Sequence, residues 1–209
     1  MSEPAVDVII AARDEARCVA ACIDALRRQT YAGDLRICVI DDGSRDGTAG
    51  VAATHGAEVL SAPRRGRGAA RNAGLRATSG QLVAFLDAHV VIAPDWVRRM
   101  VEPFGDPRIG GCQSAIEHRA IAPRVERYLR ASAALSADCI LADTVRGERN
   151  LYPWLSSGHC IYRRAAVESA GGVSPGVTGA AGARCASEAD EARSPASSRE
   201  MRSDMGRKP

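Results

Sequence analysis

Three short, largely apolar runs, Val6–Ala11, Leu35–Ile40 and Leu82–Leu86, and a short strand-like segment, Glu58–Ser61, recur through the first half of the chain, each followed by a segment with helical spacing. The last run is bounded by Ser79-Gly80 and stops abruptly at Asp87, the pattern of a strand buried on both faces whose carboxyl end opens into a cleft. Between the runs, Asp14–Gln29 carries Val19, Ile23 and Leu26 with small Ala16 and Ala20, a helical period. A turn-rich Asp41–Thr48 segment precedes a helix running to Thr54, and a Gly/Arg loop, Pro63–Gly68, precedes a helix over Ala69–Ala77. Strand and helix alternating four times predict one α/β domain, a mostly parallel twisted sheet with helices on both faces. Ligands of such sheets bind at the carboxyl ends of the strands, where Arg13, Asp42 and Asp87 all fall.

Composition narrows the function classes. With 45% hydrophobic and 25% charged residues the 209-residue chain is of ordinary globular make-up. Its net charge of +3, with the arginines scattered, gives no nucleic-acid footprint. No run reaches the length of a transmembrane helix and the N-terminus lacks a leader pattern, so the reading is a cytoplasmic protein with peripheral membrane contact left open. The seven cysteines have no paired C-x-x-C spacing and read as reduced, mostly buried thiols.

Further along, Pro94 falls at the first turn of a helix expected over Asp95–Phe104, with Trp96 packing it on the sheet. Ile109–Ser114 is a candidate strand, Val125–Leu141 a helical region, Trp154–Tyr162 extended, and Arg163–Ala170 a short helix ended by Gly171-Gly172. Residues 181–209 contain no Val, Ile, Leu, Phe, Tyr or Trp and read as a disordered low-complexity tail. Gly66-x-Gly68 lacks the third glycine of a dinucleotide fingerprint and follows the third strand, which excludes a dehydrogenase reading.

Four motifs in order carry a resemblance: Val8-Ile9-Ile10-Ala11-Ala12-Arg13-Asp14-Glu15, Val39-Ile40-Asp41-Asp42-Gly43-Ser44-Arg45-Asp46-Gly47-Thr48, Gly66 through Ala70-Arg71-Asn72-Ala73-Gly74, and Phe85-Leu86-Asp87-Ala88-His89. Together they resemble family 2 glycosyltransferases of the GT-A fold, over roughly residues 5–175. The resemblance implies a Rossmann-like nucleotide-diphospho-sugar transferase that moves a sugar, with UDP as the expected carrier, to an acceptor hydroxyl of a glycan or a lipid-linked acceptor. It also implies a divalent metal, Mn²⁺ or Mg²⁺, and an inverting outcome. Asp87 and His89 correspond to the family's Asp-x-Asp metal motif with His in third place, a variant similar to that of bacterial exopolysaccharide transferases and polypeptide N-acetylgalactosaminyltransferases. Side chains two apart on an extended chain point the same way, so Asp87 and His89 are expected to reach one ion together.

The same resemblance assigns Asp42 to the imide N–H of uracil, the alternative being a cap on the following helix. Ala11, Arg13 and Glu15 belong to the loop that would wall the base pocket, although Ala11 and Asp14 stand where the family has Pro and Asn. Arg71 and nearby backbone N–H groups would face the diphosphate, or Arg71 is a solvated surface arginine. His159 is either a metal or phosphate contact or a structural histidine. No general base is assigned: Glu188 and Asp190 are weak candidates inside the tail. The resulting division is 1–108 nucleotide-sugar-binding half, 109–180 abbreviated acceptor-side half, and 181–209 tail. The composition break also raises an alternative, a truncated, catalytically impaired nucleotide-sugar-binding module.

Overall fold

The structure, a computed structural model, describes residues 3–114, 144–146 and 158–173. The expected helix over Val125–Leu141, the tail, and the candidate bases Glu188 and Asp190 lie outside the described residues. Within them a seven-stranded sheet runs in the order β3-β2-β1-β4-β7-β5-β6. Its strands are β1 Val6–Ala12, β2 Leu35–Asp41, β3 Glu58–Ser61, β4 Leu82–Asp87, β5 Gly111–Gln113, β6 Thr144–Arg146 and β7 His159–Arg163. The first four are parallel, with β1 between β2 and β4; β7 then pairs antiparallel with β4 and β5, and β6 antiparallel with β5. The expected parallel core is therefore extended by an antiparallel flank.

Strand alternation sorts the core into two layers. Val6, Val8, Ile10 and Ala12 of β1 face one cluster, with α1 (Val19–Arg27), α2 (Thr48–Thr54) and α4 (Trp96–Val101). Ile9 and Ala11 face the other, with α3 (Arg67–Ala77) and α5 (Arg164–Ser169). The close approach of α3 depends on Gly74: a Cβ there would lie 2.5 Å from Ile9 Cγ2 and 3.2 Å from Ile40 Cγ1.

Two helices differ from expectation for identifiable reasons. α1 begins at Val19, not Asp14, because Asp14 takes φ 55° and the N–H groups of residues 14–16 bond to another loop. The helix expected over Asp95–Phe104 ends at Val101 and tightens into a 3₁₀ turn over Glu102–Gly105, where Pro103 has no N–H to continue the α pattern. Pro94 sits just before the Asp95 N-cap, outside the helix, and its carbonyl accepts the Thr30 N–H. At the amino-terminal edge of the sheet, buried Asp7 of β1 pairs with Arg164 at 2.8 Å, and the same guanidinium donates to the Leu75 carbonyl and to Thr78 Oγ1. Cys22, Cys38, Cys112 and Cys160 are buried thiols and Cys18 is half-buried, as the sequence suggested. No helix among the described residues is long and apolar enough to cross a membrane.

Candidate functional site

The carboxyl ends of β1, β2 and β4 meet at one edge of the sheet, and antiparallel β7 brings its amino end there too. In register Ala11 lies beside Asp87 and Ala12 beside Asp41. Asp87 closes β4: its N–H donates to the Gly158 carbonyl at 2.9 Å. Its side chain shares a face with Phe85 and so points toward α3. There Arg71 Nη2 donates to Asp87 Oδ1 at 2.8 Å. Arg71 is 5% exposed, so the solvated-arginine alternative is excluded, and its Nε has no hydrogen-bond partner. The Asp87 side chain is 22% exposed and thus remains reachable from the cleft. Gly158 makes room for it, since a Cβ at residue 158 would lie 2.5 Å from Asp87 Oδ2.

His89 is not placed by strand alternation. β4 ends at Asp87, and the Val90 N–H returns to the Asp87 carbonyl at 3.0 Å, so Ala88 and His89 occupy a turn. The expectation that extended geometry aligns the two side chains is corrected accordingly. His89 is instead exposed, with Nδ1 3.8 Å from Glu15 Oε1, which brings Glu15 to the same rim. Among the described residues no group of three or more His, Cys, Asp or Glu side chains converges as a metal cage.

The β1–α1 and β2–α2 loops are laced together by four hydrogen bonds. The Asp14 N–H donates to Ser44 Oγ, Arg45 N–H to Asp14 Oδ1, Glu15 N–H to Thr48 Oγ1 and Ala16 N–H to Asp46 Oδ2, all between 2.8 and 3.0 Å. Asp, Ser and Thr in the second motif thus hold the first motif's loop, a role that spacing alone did not reveal. Ala11 is a buried strand residue, while Arg13 is exposed. Asp42 is 2% exposed and accepts from the N–H groups of Arg65 at 2.9 Å and Gly66 at 3.0 Å. It serves the start of α3, not the helix that follows it.

Asn72, quoted in the third motif without a role, latches the far end of the described chain. Its Nδ2 donates to the Val173 carbonyl at 2.7 Å and its Oδ1 accepts the Val173 N–H at 2.8 Å. Gly172, at φ +89°, lies so close that a Cβ would sit 2.7 Å from Asn72 Oδ1. His159, buried at the start of β7, has its pKa lowered from the ordinary value by burial, opposed by the Asp87 charge. Burial, with Asp87 adding to it, also pushes the Cys22 thiol to about 12, so Cys22 is an inert neighbour and not a nucleophile.

Comparisons with known proteins agree with this fold. Glycosyl transferase family 2 matches residues 7–171. An N-acetylglucosaminyltransferase of Mesorhizobium japonicum is 33% identical over 134 residues, 60% of this chain and 31% of that protein. One from a Rhizobium species is 33% identical over 121 residues, covering 54% and 27%. Among solved structures, a mannosyltransferase of Pyrobaculum calidifontis in complex with GDP-Man and Mn²⁺ superposes with a TM-score of 0.64 at 24% identity, over 91% of this chain and 52% of that one. Glucosyl-3-phosphoglycerate synthase of Mycobacterium tuberculosis with Mn²⁺ and UDP-Glc gives 0.55 at 26% identity, over 79% and 58%. The chain thus spans about a third or less of these two curated relatives and somewhat over half of the two structures. The α/β sheet is of the GT-A type, and the chain belongs to glycosyl transferase family 2.

Proposed function

We propose that this chain carries the donor site of a glycosyltransferase, transferring a sugar from a nucleoside diphosphate, UDP foremost, to an acceptor hydroxyl with inversion. The observation that supports it most is the partly exposed Asp87 carboxylate at the lip of β4, oriented by a buried arginine. A diphosphate leaving group gathers negative charge, and a fixed guanidinium beside it stabilises that charge without reorganising. Arg71 contributes the positive charge and also fixes the Asp87 rotamer, leaving Oδ2 on the Gly158 side.

The donor set fits a divalent cation completed by substrate. Asp87 and, from the turn, His89 are one hard and one borderline ligand, and cations of this class commonly take the rest of their shell from phosphate oxygens and water. Mn²⁺ or Mg²⁺ bound there would supply Lewis-acid neutralisation of the departing diphosphate. The synthase that is 26% identical, whose structure contains Mn²⁺ and UDP-Glc, lends support. The acceptor is a glycan or lipid-linked hydroxyl in this reading, and its general base lies outside the residues assigned above. Release of UDP from a panel of UDP-sugars, with Mn²⁺ and with chelator, tests the proposal. Metal-dependent release is expected; nucleotide binding with no release from any sugar would favour a binding module instead.

A further inference from the structure

We infer that Gln29 is a positioning residue: from the end of α1 its carboxamide fastens the β4–α4 loop and so sets where His89 stands at the rim of the donor site. This rests on the donor-site reading above and deepens it.

The loop that leaves Asp87 for α4 alternates between two environments. Ala88 and Ile92 are buried, and Val90 half-buried, in the layer that α1 builds with Val19, Cys22, Ile23 and Leu26, whereas His89 and Val91 are exposed. The backbone is tied to α1 at both ends. At its start the Cys22 thiol donates to the Asp87 carbonyl at 3.7 Å, beside the 3.0 Å bond from the Val90 N–H. At its far end stands Gln29, half-buried and one residue past the Arg28 C-cap, with its whole carboxamide engaged. Nε2 donates to the Ala25 carbonyl at 3.1 Å and the Ala93 carbonyl at 2.7 Å, and Oε1 accepts the Val97 N–H at 2.9 Å. Thr30 adds its N–H and its hydroxyl to the Pro94 carbonyl, at 2.8 and 3.2 Å.

The three bonds of Gln29 differ in effect. The one to Ala25 holds the side chain against its own helix, so the other two act from a fixed base. The Val97 bond satisfies an N–H in the first turn of α4, where the Asp95 N-cap makes no capping bond. The Ala93 bond catches the loop four residues past His89. The imidazole itself has only a 3.8 Å approach to Glu15, beyond hydrogen-bond range, so its placement falls to the backbone on either side of it. A ligand on a loop keeps its geometry only as well as the groups that brace that loop. With Cys22, Ile23, Ala25 and Leu26 all in the core, α1 is a rigid splint, and Gln29 is its grip on the segment that carries His89.

The test uses the full chain, Gln29→Ala and Gln29→Glu. Amide exchange in the metal-free proteins is followed by NMR at Val97, at Val90, and at Ala62, whose 2.9 Å bond to the Asp41 carbonyl belongs to another loop. UDP affinity is measured by calorimetry with and without Mn²⁺. In Gln29→Ala, exchange at Val97 and at Val90 is expected to quicken by about tenfold, although Gln29 touches neither the Val90 N–H nor its acceptor, and Ala62 should keep the parent rate. Gln29→Glu keeps an acceptor for Val97 and loses the donor to Ala93, so Val97 should stay protected while Val90 quickens. In both variants the Mn²⁺-dependent gain in UDP affinity should shrink by about threefold or more, with metal-free UDP affinity unchanged. Quickening confined to Val97, quickening of all three amides together, or a Mn²⁺-dependent gain equal to the parent's would each overturn the assignment and leave the donor site standing. A parent chain that binds UDP no better with Mn²⁺ would instead contradict the donor-site reading, and with it the metal role of the loop, whatever the exchange pattern.

Discussion

Arg71 and Asp87, one on α3 and one at the end of β4, meet through a single 2.8 Å hydrogen bond in which the arginine is nearly sealed from solvent and the aspartate is not. The asymmetry separates their positions: the guanidinium orients the carboxylate from the buried side, and the carboxylate faces the cleft. Removing Arg71 leaves a carboxylate short of its partner, and breaking a buried pair from one side costs about 3–5 kcal/mol, less where one member is wetted. Arg71→Ala should therefore destabilise by about 2–3 kcal/mol in urea unfolding. A change under half that size would show the pair to be incidental.

Gly158 is a second handle on the same carboxylate. Because a Cβ at residue 158 would meet Asp87 Oδ2 at 2.5 Å, Gly158→Ala must push the carboxylate aside. Metal-dependent UDP affinity is expected to fall by about tenfold, with melting temperature little altered. Affinity equal to the parent would place Oδ2 outside the site.

At the opposite edge of the sheet, Arg164 joins Asp7, Leu75 and Thr78. Arg164→Ala should cost about 3 kcal/mol of folding stability while leaving UDP affinity in the surviving folded protein unchanged. Equal loss of both would contradict the separation of the two ends.

His159 predicts a pH dependence. Its folded pKa lies below the ordinary 6.5, chiefly through burial, so below 6.5 the unfolded chain binds a proton that the folded one refuses. The resulting stability is fully present above 6.5 and erodes as pH falls toward the folded value, by at most about 1.4 kcal/mol per pH unit. Metal-free urea melts at pH 7.5 and 5.5 should show a larger loss for the parent chain than for His159→Gln. Identical losses would mean that His159 charges freely in the folded state.

The parallel half of the fold was legible because the later residues of β1 and β2 and nearly all of β4 are buried on both faces and so read as apolar runs, Val8–Ala12, Ile37–Ile40 and Leu82–Leu86, ending in polar residues. The antiparallel flank was not. β5 has three residues, and its partner Tyr162 lies far along the chain from Gly111, so no local period records the pairing. Asp87 stood out in the sequence because an acidic residue after a buried strand is a local pattern. The place of His89 was misjudged because a turn, invisible in apolar spacing, begins at Ala88. The contacts of Asn72 and Gly158 were not legible because their partners, Val173 and Asp87, are about a hundred and about seventy residues away. The reduced, mostly buried character of the described thiols needed only composition and spacing.

Calorimetric titration of UDP into the parent chain and Asp87→Asn, each with and without Mn²⁺, probes the central assignment most directly, since the asparagine keeps an acceptor for Arg71 while removing the charge. Mn²⁺ is expected to raise UDP affinity of the parent by about tenfold or more and to do nothing for the variant. The same Mn²⁺-dependent gain in both proteins would contradict a cation and diphosphate held at the lip of β4.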